Sequence, residues 1–128
     1  MGLFSRTTKQ LEIDSSIRAK AAFDHLGNQA LGDVIPIADV RWREKVKVAG
    51  RVKALRVQPW ADQIASLELT LADQTGAITV VFLGRRTLGG VNLGTHLVVE
   101  GMTSEHHRLL TILNPAYQLL PRQVALPY

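Results

Sequence analysis

The chain of 128 residues contains no cysteine, which excludes disulfide bridges, thiolate metal centres and cysteine nucleophiles together. Aromatic side chains are nearly as scarce. Two Trp, two Tyr and three Phe make up 5% of the sequence, so flat surfaces for stacking are few. No apolar run is long enough to span a bilayer, and the first nine residues, where Ser5 and Arg6 follow Leu3 and Phe4, lack the apolar stretch of a signal peptide. Met1-Gly2 does not continue into an acylation pattern, because Arg6 stands where Ser or Thr is required. These absences describe a soluble, cytoplasmic protein with no membrane partner.

Catalytic signatures are missing as well. The glycines Gly89, Gly90 and Gly94 are followed by Thr95 and His96, not by the Lys and hydroxyl of a phosphate-binding loop, and neither a Gly-x-Ser-x-Gly elbow nor a His-Glu-x-x-His pair occurs. Asp62, Glu68, Asp73 and Glu100 are dispersed, which does not suit two-metal chemistry. His106 and His107 with Glu105 have metal-ligating side chains, but adjacent residues on a turn point apart and no third ligand is evident. The expectation is a non-enzyme with no cofactor and no bound metal.

What the chain does have is an uneven charge distribution. Residues 1–44 hold six basic and six acidic side chains, whereas residues 45–128 hold nine against five, so the whole formal charge of +4 lies in the later part. That excess is concentrated where the sequence alternates. From residue 45 to 57, Val46, Val48 and Val52 fall on one side of an extended chain and Lys45, Lys47, Arg51 and Lys53 on the other. One side suits a core; the other is a basic stripe that suits a polyanion or solvent.

Further strands follow from the same period. Leu67, Leu69 and Leu71 alternate with Ser66, Glu68 and Thr70; Asp73-Gln74-Thr75-Gly76 supplies a turn; and residues 78–83 form the second arm of a hairpin. Residues 95–103 and 108–113 make a second hairpin around a polar turn at Ser104, Glu105, His106 and His107. The polar segment from Trp60 to Gln63 reads as the loop between the first two strands. Residues 13–26 carry Ile17, Ala21, Ala22, Phe23 and Leu26 among charged positions and predict a short helix, with Gly27 as its stop. A helical turn is expected near residues 36–40, and Pro121 and Pro127 suggest a loose tail. The chain thus divides into an N-terminal helical and loop appendage (1–44), a barrel (45–120) and a tail (121–128). Five strands, as one long strand, a hairpin, a connector and another hairpin, fit an all-β, five-stranded OB-fold Greek-key barrel with a short N-terminal helical segment.

The runs Val46-Lys47-Val48-Ala49-Gly50-Arg51-Val52, Leu71-Ala72-Asp73-Gln74-Thr75-Gly76, Leu93-Gly94-Thr95-His96-Leu97-Val98-Val99-Glu100-Gly101 and Asn114-Pro115-Ala116-Tyr117 resemble nucleic-acid-binding OB domains. They are similar to the wedge domain of the RecG helicase. With Leu83-Gly84-Arg85-Arg86, they are more similar to small single-module OB proteins of high-GC Gram-positive bacteria. The resemblance covers roughly residues 37–120. It implies DNA or RNA binding without ATP-driven unwinding.

Candidate contacts follow. Lys45, Lys47, Arg51 and Lys53 can track phosphates, as can Arg85 and Arg86 at the end of the third strand. Trp60 can stack on a base or fold over the barrel end as a lid. Phe82 poses the same choice between ligand and core. His106, His107 and Arg108 can form a groove edge. The expected partner is single-stranded nucleic acid. The alternative is a protein-interaction or assembly module that docks a partner through Val81, Leu83 and the N-terminal segment.

Overall fold

The computed structural model describes residues 30–128, so the helix expected over residues 13–26 lies outside the described part. Of the expected helical elements, the turn before the barrel is present as a single 3₁₀ turn, Ile37–Asp39. Six strands follow: β1 (Lys45–Ala61), β2 (Ile64–Ala72), β3 (Ala77–Leu83), β4 (His96–His106), β5 (Leu109–Leu113) and β6 (Ala116–Leu120). Their order is β1-β2-β3-β5-β4-β6, and β1 pairs with β4 to close the ring. The β3–β5 pair is parallel and short, from Thr79↔Thr111 to Val81↔Leu113, and the other pairs are antiparallel. This five-strand closure is the OB barrel.

β1 serves two neighbours. Its first half pairs with β4 up to Arg51↔His96, and its second half pairs with β2 from Arg51↔Ala72 onward. The change of partner falls beside Gly50, where an added Cβ would lie 2.5 Å from the Ala72 carbonyl oxygen. Only a residue without a side chain lets the two backbones approach so closely. The core is built from inward positions that the alternation marked, including Val48, Val52, Leu69 and Leu71, joined by Val80 and Ile112, whose strands carry apolar residues at successive positions. Ile37 and Val40 from before β1, and Leu88 and Val91 from the non-helical β3–β4 connector, complete it.

Several boundaries differ from the sequence expectation, for one shared reason: strand pairing uses backbone groups, so polar side chains at a hairpin tip do not end it. β1 runs through Trp60 to Ala61, leaving only Asp62-Gln63 as the turn, with Gln63 at φ 63°. β4 likewise runs through Ser104 and Glu105 to His106, and the turn is His107-Arg108, both at positive φ. The chain also does not stop pairing at Asn114-Pro115. β5 and β6 lie along the same edge of β4, and the register changes from Thr103↔Ile112 to Glu100↔Ala116, the shift of one residue expected for a bulge. Asn114, at φ 47°, makes that bulge, and its side chain accepts the Leu83 N–H at 2.9 Å. The segment after β6 is not loose. Val124 is buried, and Leu126 packs with Ala30, Val34, Ala49, Val98 and Leu120 in a second small cluster on the opposite face of the β1–β4–β6 sheet.

Candidate nucleic-acid interface

Residues paired across a ladder share a face, so the register assigns the outer surface row by row. Arg56, Glu68, Val81 and Leu113 form one row across β1, β2, β3 and β5. Ala54, Thr70, Thr79, Thr111 and Ser104 form the next, and Gln58, Ser66 and Leu83 a third. Ser66, Val81 and Thr111 are buried although they face away from the core, so the floor is recessed beneath its longer neighbours. Val81 is 0% exposed and Leu83 half-buried, so the apolar docking face expected at these residues is not an open one. Phe82, on the other side of β3, is a core residue that meets the Tyr117 ring edge-on at 5.4 Å.

The rim of this face is where β1 and β4 end. Trp60 leaves the ladder at an irregularity between Pro59 and Ala61 and lies flat on His106, with ring centroids 3.9 Å apart and planes 18° from parallel. His107 meets His106 edge-on at the same centroid distance. Trp60 is therefore neither a core lid nor a free loop residue. It joins the tips of two hairpins, with Arg108 in the same turn as His107. Desolvation, with His107 beside it, holds the His106 pKa below the usual histidine range against the pull of Glu68. The ring stays neutral near neutral pH, as a stacking surface rather than a cation. In the middle of the face Arg56 donates to Glu68 Oε1 at 2.6 and 3.2 Å, which fixes the guanidinium and cancels much of its charge.

The other expected cations lie elsewhere. Lys45, Lys47 and Arg51 project from the outer face of the β1–β4 pair, where Lys45 stands 3.6 Å from Glu100 and Lys47 is half-buried. Lys53 is displaced from that stripe by a register shift between Val52 and Ala54, so the bulge falls three residues beyond Gly50. Arg85 is exposed after Gly84. Arg86 borders a groove of about 320 Å³ on the β1–β2 arm, with Leu55, Leu67 and Leu88 among its walls. The ten residues thus occupy separate surfaces: Trp60, His106 and His107 form one cluster with Arg108 in the same turn, while Arg51 and Lys53 line a separate groove.

Sequence reasoning passed over Trp42, 48% exposed in the Arg41-Trp42-Arg43 turn. The Thr103 hydroxyl, buried on β4, donates to the Arg41 carbonyl at 2.6 Å and accepts the Glu44 N–H at 3.0 Å, which holds this turn against β4. Trp42 and Arg43 flank Ser104 and Glu105, the two residues just before His106. Both tryptophans consequently border the β4–β5 hairpin. An aromatic next to two arginines before a strand was the available signal. The groups here can stack a flat ring, donate hydrogen bonds and neutralise an anion. Among the described residues no His, Asp and Glu group could hold a metal ion, and no helix is long and apolar enough to cross a membrane.

No family model and no curated protein matches the sequence. Solved structures do. The second OB-fold domain of replication protein A from Methanococcus maripaludis is similar, with a TM-score of 0.56, 17% identity, and coverage of 69% of this chain and 95% of that domain. RecG bound to a three-way DNA junction matches at a TM-score of 0.59 and 15% identity, over 70% of this chain but 13% of RecG. An OB domain from Thermoplasma acidophilum matches at 0.59 and 13%, over 76% of this chain and 95% of its own. At these identities the likeness establishes the OB fold.

Proposed function

We propose that this protein is a non-catalytic nucleic-acid-binding OB module that prefers single strands and holds them across the recessed face. The observation that carries the reading is the Trp60–His106 stack, a flat aromatic surface assembled by the two hairpin tips that border the face. Bases of a single strand present their own flat faces, and each base stacked on an aromatic side chain contributes about 1–3 kcal/mol. Duplex DNA hides those faces. The neighbours support the same reading, since one is a replication protein A domain and another is bound to a DNA junction. Exposed Arg85, Arg86 and Arg108 supply phosphate contacts on either side.

A titration against labelled single-stranded and duplex oligonucleotides tests this. In a Trp42→Phe background Trp60 fluorescence should fall on addition of single strand. With about three phosphate contacts, log K should decline against log salt with a slope near −2, from roughly −0.7 per contact. Arg108→Ala should flatten that slope, while Lys45→Ala, on the other surface, should leave it unchanged. A slope near zero with unaltered Trp60 emission would refute the reading.

A further inference from the structure

We propose that the open groove between β1 and the segment after β6 is a second binding site, which takes a phosphorylated nucleotide either free or at the end of a strand. It does not rest on the single-strand reading, because Trp60, His106 and Arg56 are not among its walls. The groove has a volume of about 560 Å³, and Arg51, Lys53 and Arg122 line it with His96. Two cations of β1 and one from the far end of the chain are brought together by specific features of the fold. Arg51 lies opposite His96 in the β1–β4 ladder, the β1 bulge turns Lys53 toward the end of β2, and β6 returns the chain to His96 through the Leu120 pair just before Arg122. The Arg122 guanidinium reaches to 3.9 Å from the position a Cβ would take on Gly94.

Among the described residues none of these three cations has a carboxylate within ion-pair distance. The one side-chain carboxylate in the groove wall, Asp73, is already committed. It accepts the Thr75 N–H at 2.7 Å, the Thr75 hydroxyl at 2.6 Å, the Gly76 N–H at 3.0 Å and the Ile37 N–H at 2.9 Å. The groove therefore gathers positive charge that the described fold leaves uncompensated, at a place where a phosphate would satisfy forked donors. His96 adds a donor. Its Nδ1 is buried with no partner, and an unprotonated nitrogen costs less there than an unsatisfied N–H, so the proton sits on Nε2. Desolvation and the charges of Arg51 and Arg122 lower its pKa and keep the ring neutral.

The size of the groove and its second wall argue for more than inorganic phosphate. Ala72, Val124, Leu126 and the Tyr128 ring supply apolar and aromatic surface beside the cations. A groove of this volume falls within the range of small-ligand sites, about 300–1,000 Å³. A nucleotide has the matching halves, one anionic and one flat.

The test is calorimetric titration of the full chain with adenosine monophosphate, adenosine and inorganic phosphate, and with an oligonucleotide carrying or lacking a terminal phosphate in a Trp60→Ala background. The monophosphate should bind at least about tenfold tighter than adenosine or phosphate alone, and Arg51→Gln or Arg122→Gln should each weaken it by about tenfold. Both side chains are exposed, so melting temperatures should stay near wild type. Arg108→Gln should leave nucleotide affinity unchanged. A gain from the terminal phosphate without free-nucleotide binding assigns the site to strand ends; a gain with the free nucleotide assigns it to both. His96 shares the groove with Arg51 and Lys53 from β1, Asp73 from the β2–β3 turn, and Arg122 and Tyr128 from the segment after β6, and a bound phosphate offsets the three cations. Its NMR titration should therefore move to higher pH when monophosphate is added. Equal binding by the Arg51→Gln, Arg122→Gln double variant and wild type, an unmoved His96 titration, or no binding of monophosphate or phosphorylated end at millimolar concentration would each overturn the proposal.

Discussion

Replacing Gly50 by alanine probes the point on which barrel closure turns. The new Cβ would stand 2.5 Å from the Ala72 carbonyl oxygen, 2.8 Å from its carbonyl carbon and 3.1 Å from its nitrogen. All three are backbone atoms of a residue paired on one side with Arg51 and on the other with Ala77, so the clash cannot be relieved by a rotamer change. Relief requires separating β1 from the end of β2. Forcing extra volume into a packed site typically costs about 1–3 kcal/mol, and a rigid obstacle puts this substitution at the upper end. The reduced freedom of the unfolded chain returns about 0.4–1 kcal/mol. The net loss of about 2 kcal/mol should lower Tm by roughly 8–16 °C in a domain of this size. Circular dichroism melts would measure it, with Gly89→Ala as control, since a Cβ there meets nothing within 4 Å. A Gly50→Ala protein melting within about 2 °C of wild type would show that β1 and β2 are not pinned at this contact.

Trp60→Ala should cost about 1 kcal/mol, the scale of one aromatic pair, not the 3–5 kcal/mol of about one core truncation; a urea midpoint shift of the larger size would return Trp60 to the core. Thr103→Val removes the hydroxyl shared by Arg41 and Glu44 and should destabilise by about 1–3 kcal/mol, read from the same denaturation curves, while unchanged stability would mean the turn is held by other contacts. Partial desolvation pushes the Asp73 carboxyl upward, but the hydroxyl and backbone donors of Thr75, Ile37 and Gly76 outweigh it and leave the pKa below the ordinary value of 3.8. A depressed folded pKa gives stability that is present above the unfolded pKa and lost as pH falls through the folded one, so Asp73→Asn should flatten the acid limb of stability below about pH 5; identical limbs would contradict this.

The inward valines and leucines made the barrel legible, because burial imposes period 2 on any strand with one face in a core. Asp73 and Gly76 marked the first hairpin for an equally local reason. The hairpin tips were not legible. Trp60, Asp62 and Gln63 have a loop composition, yet the irregularity that puts Trp60 on His106 depends on a partner some 46 positions away. β6 was hidden by Asn114-Pro115, which reads as a terminus and acts as a bulge between two segments on one edge. The charges were legible as a list and not as a surface. Lys53 departs from the stripe through a register shift that no single residue announces, and Arg122 was set aside with a segment in which Val124 is buried and Leu126 packs against residues far away in sequence.

Closure of a barrel leaves few edges that another molecule can copy, yet β6 presents one, because among the described residues it pairs only with β4. The sequence limits the exposure. Pro115 stands just before β6 and Pro121 just after it, and a proline has no N–H to offer a ladder. An incoming strand would find five residues and a missing donor at each end, too little to template growth along a fibre axis. Lengthening β6 by replacing either proline would turn a bounded seam into a nucleus for self-association. Pro121, which first looked like punctuation for a tail, is with Pro115 one of the two stops that keep the sheet finite in the folded protein.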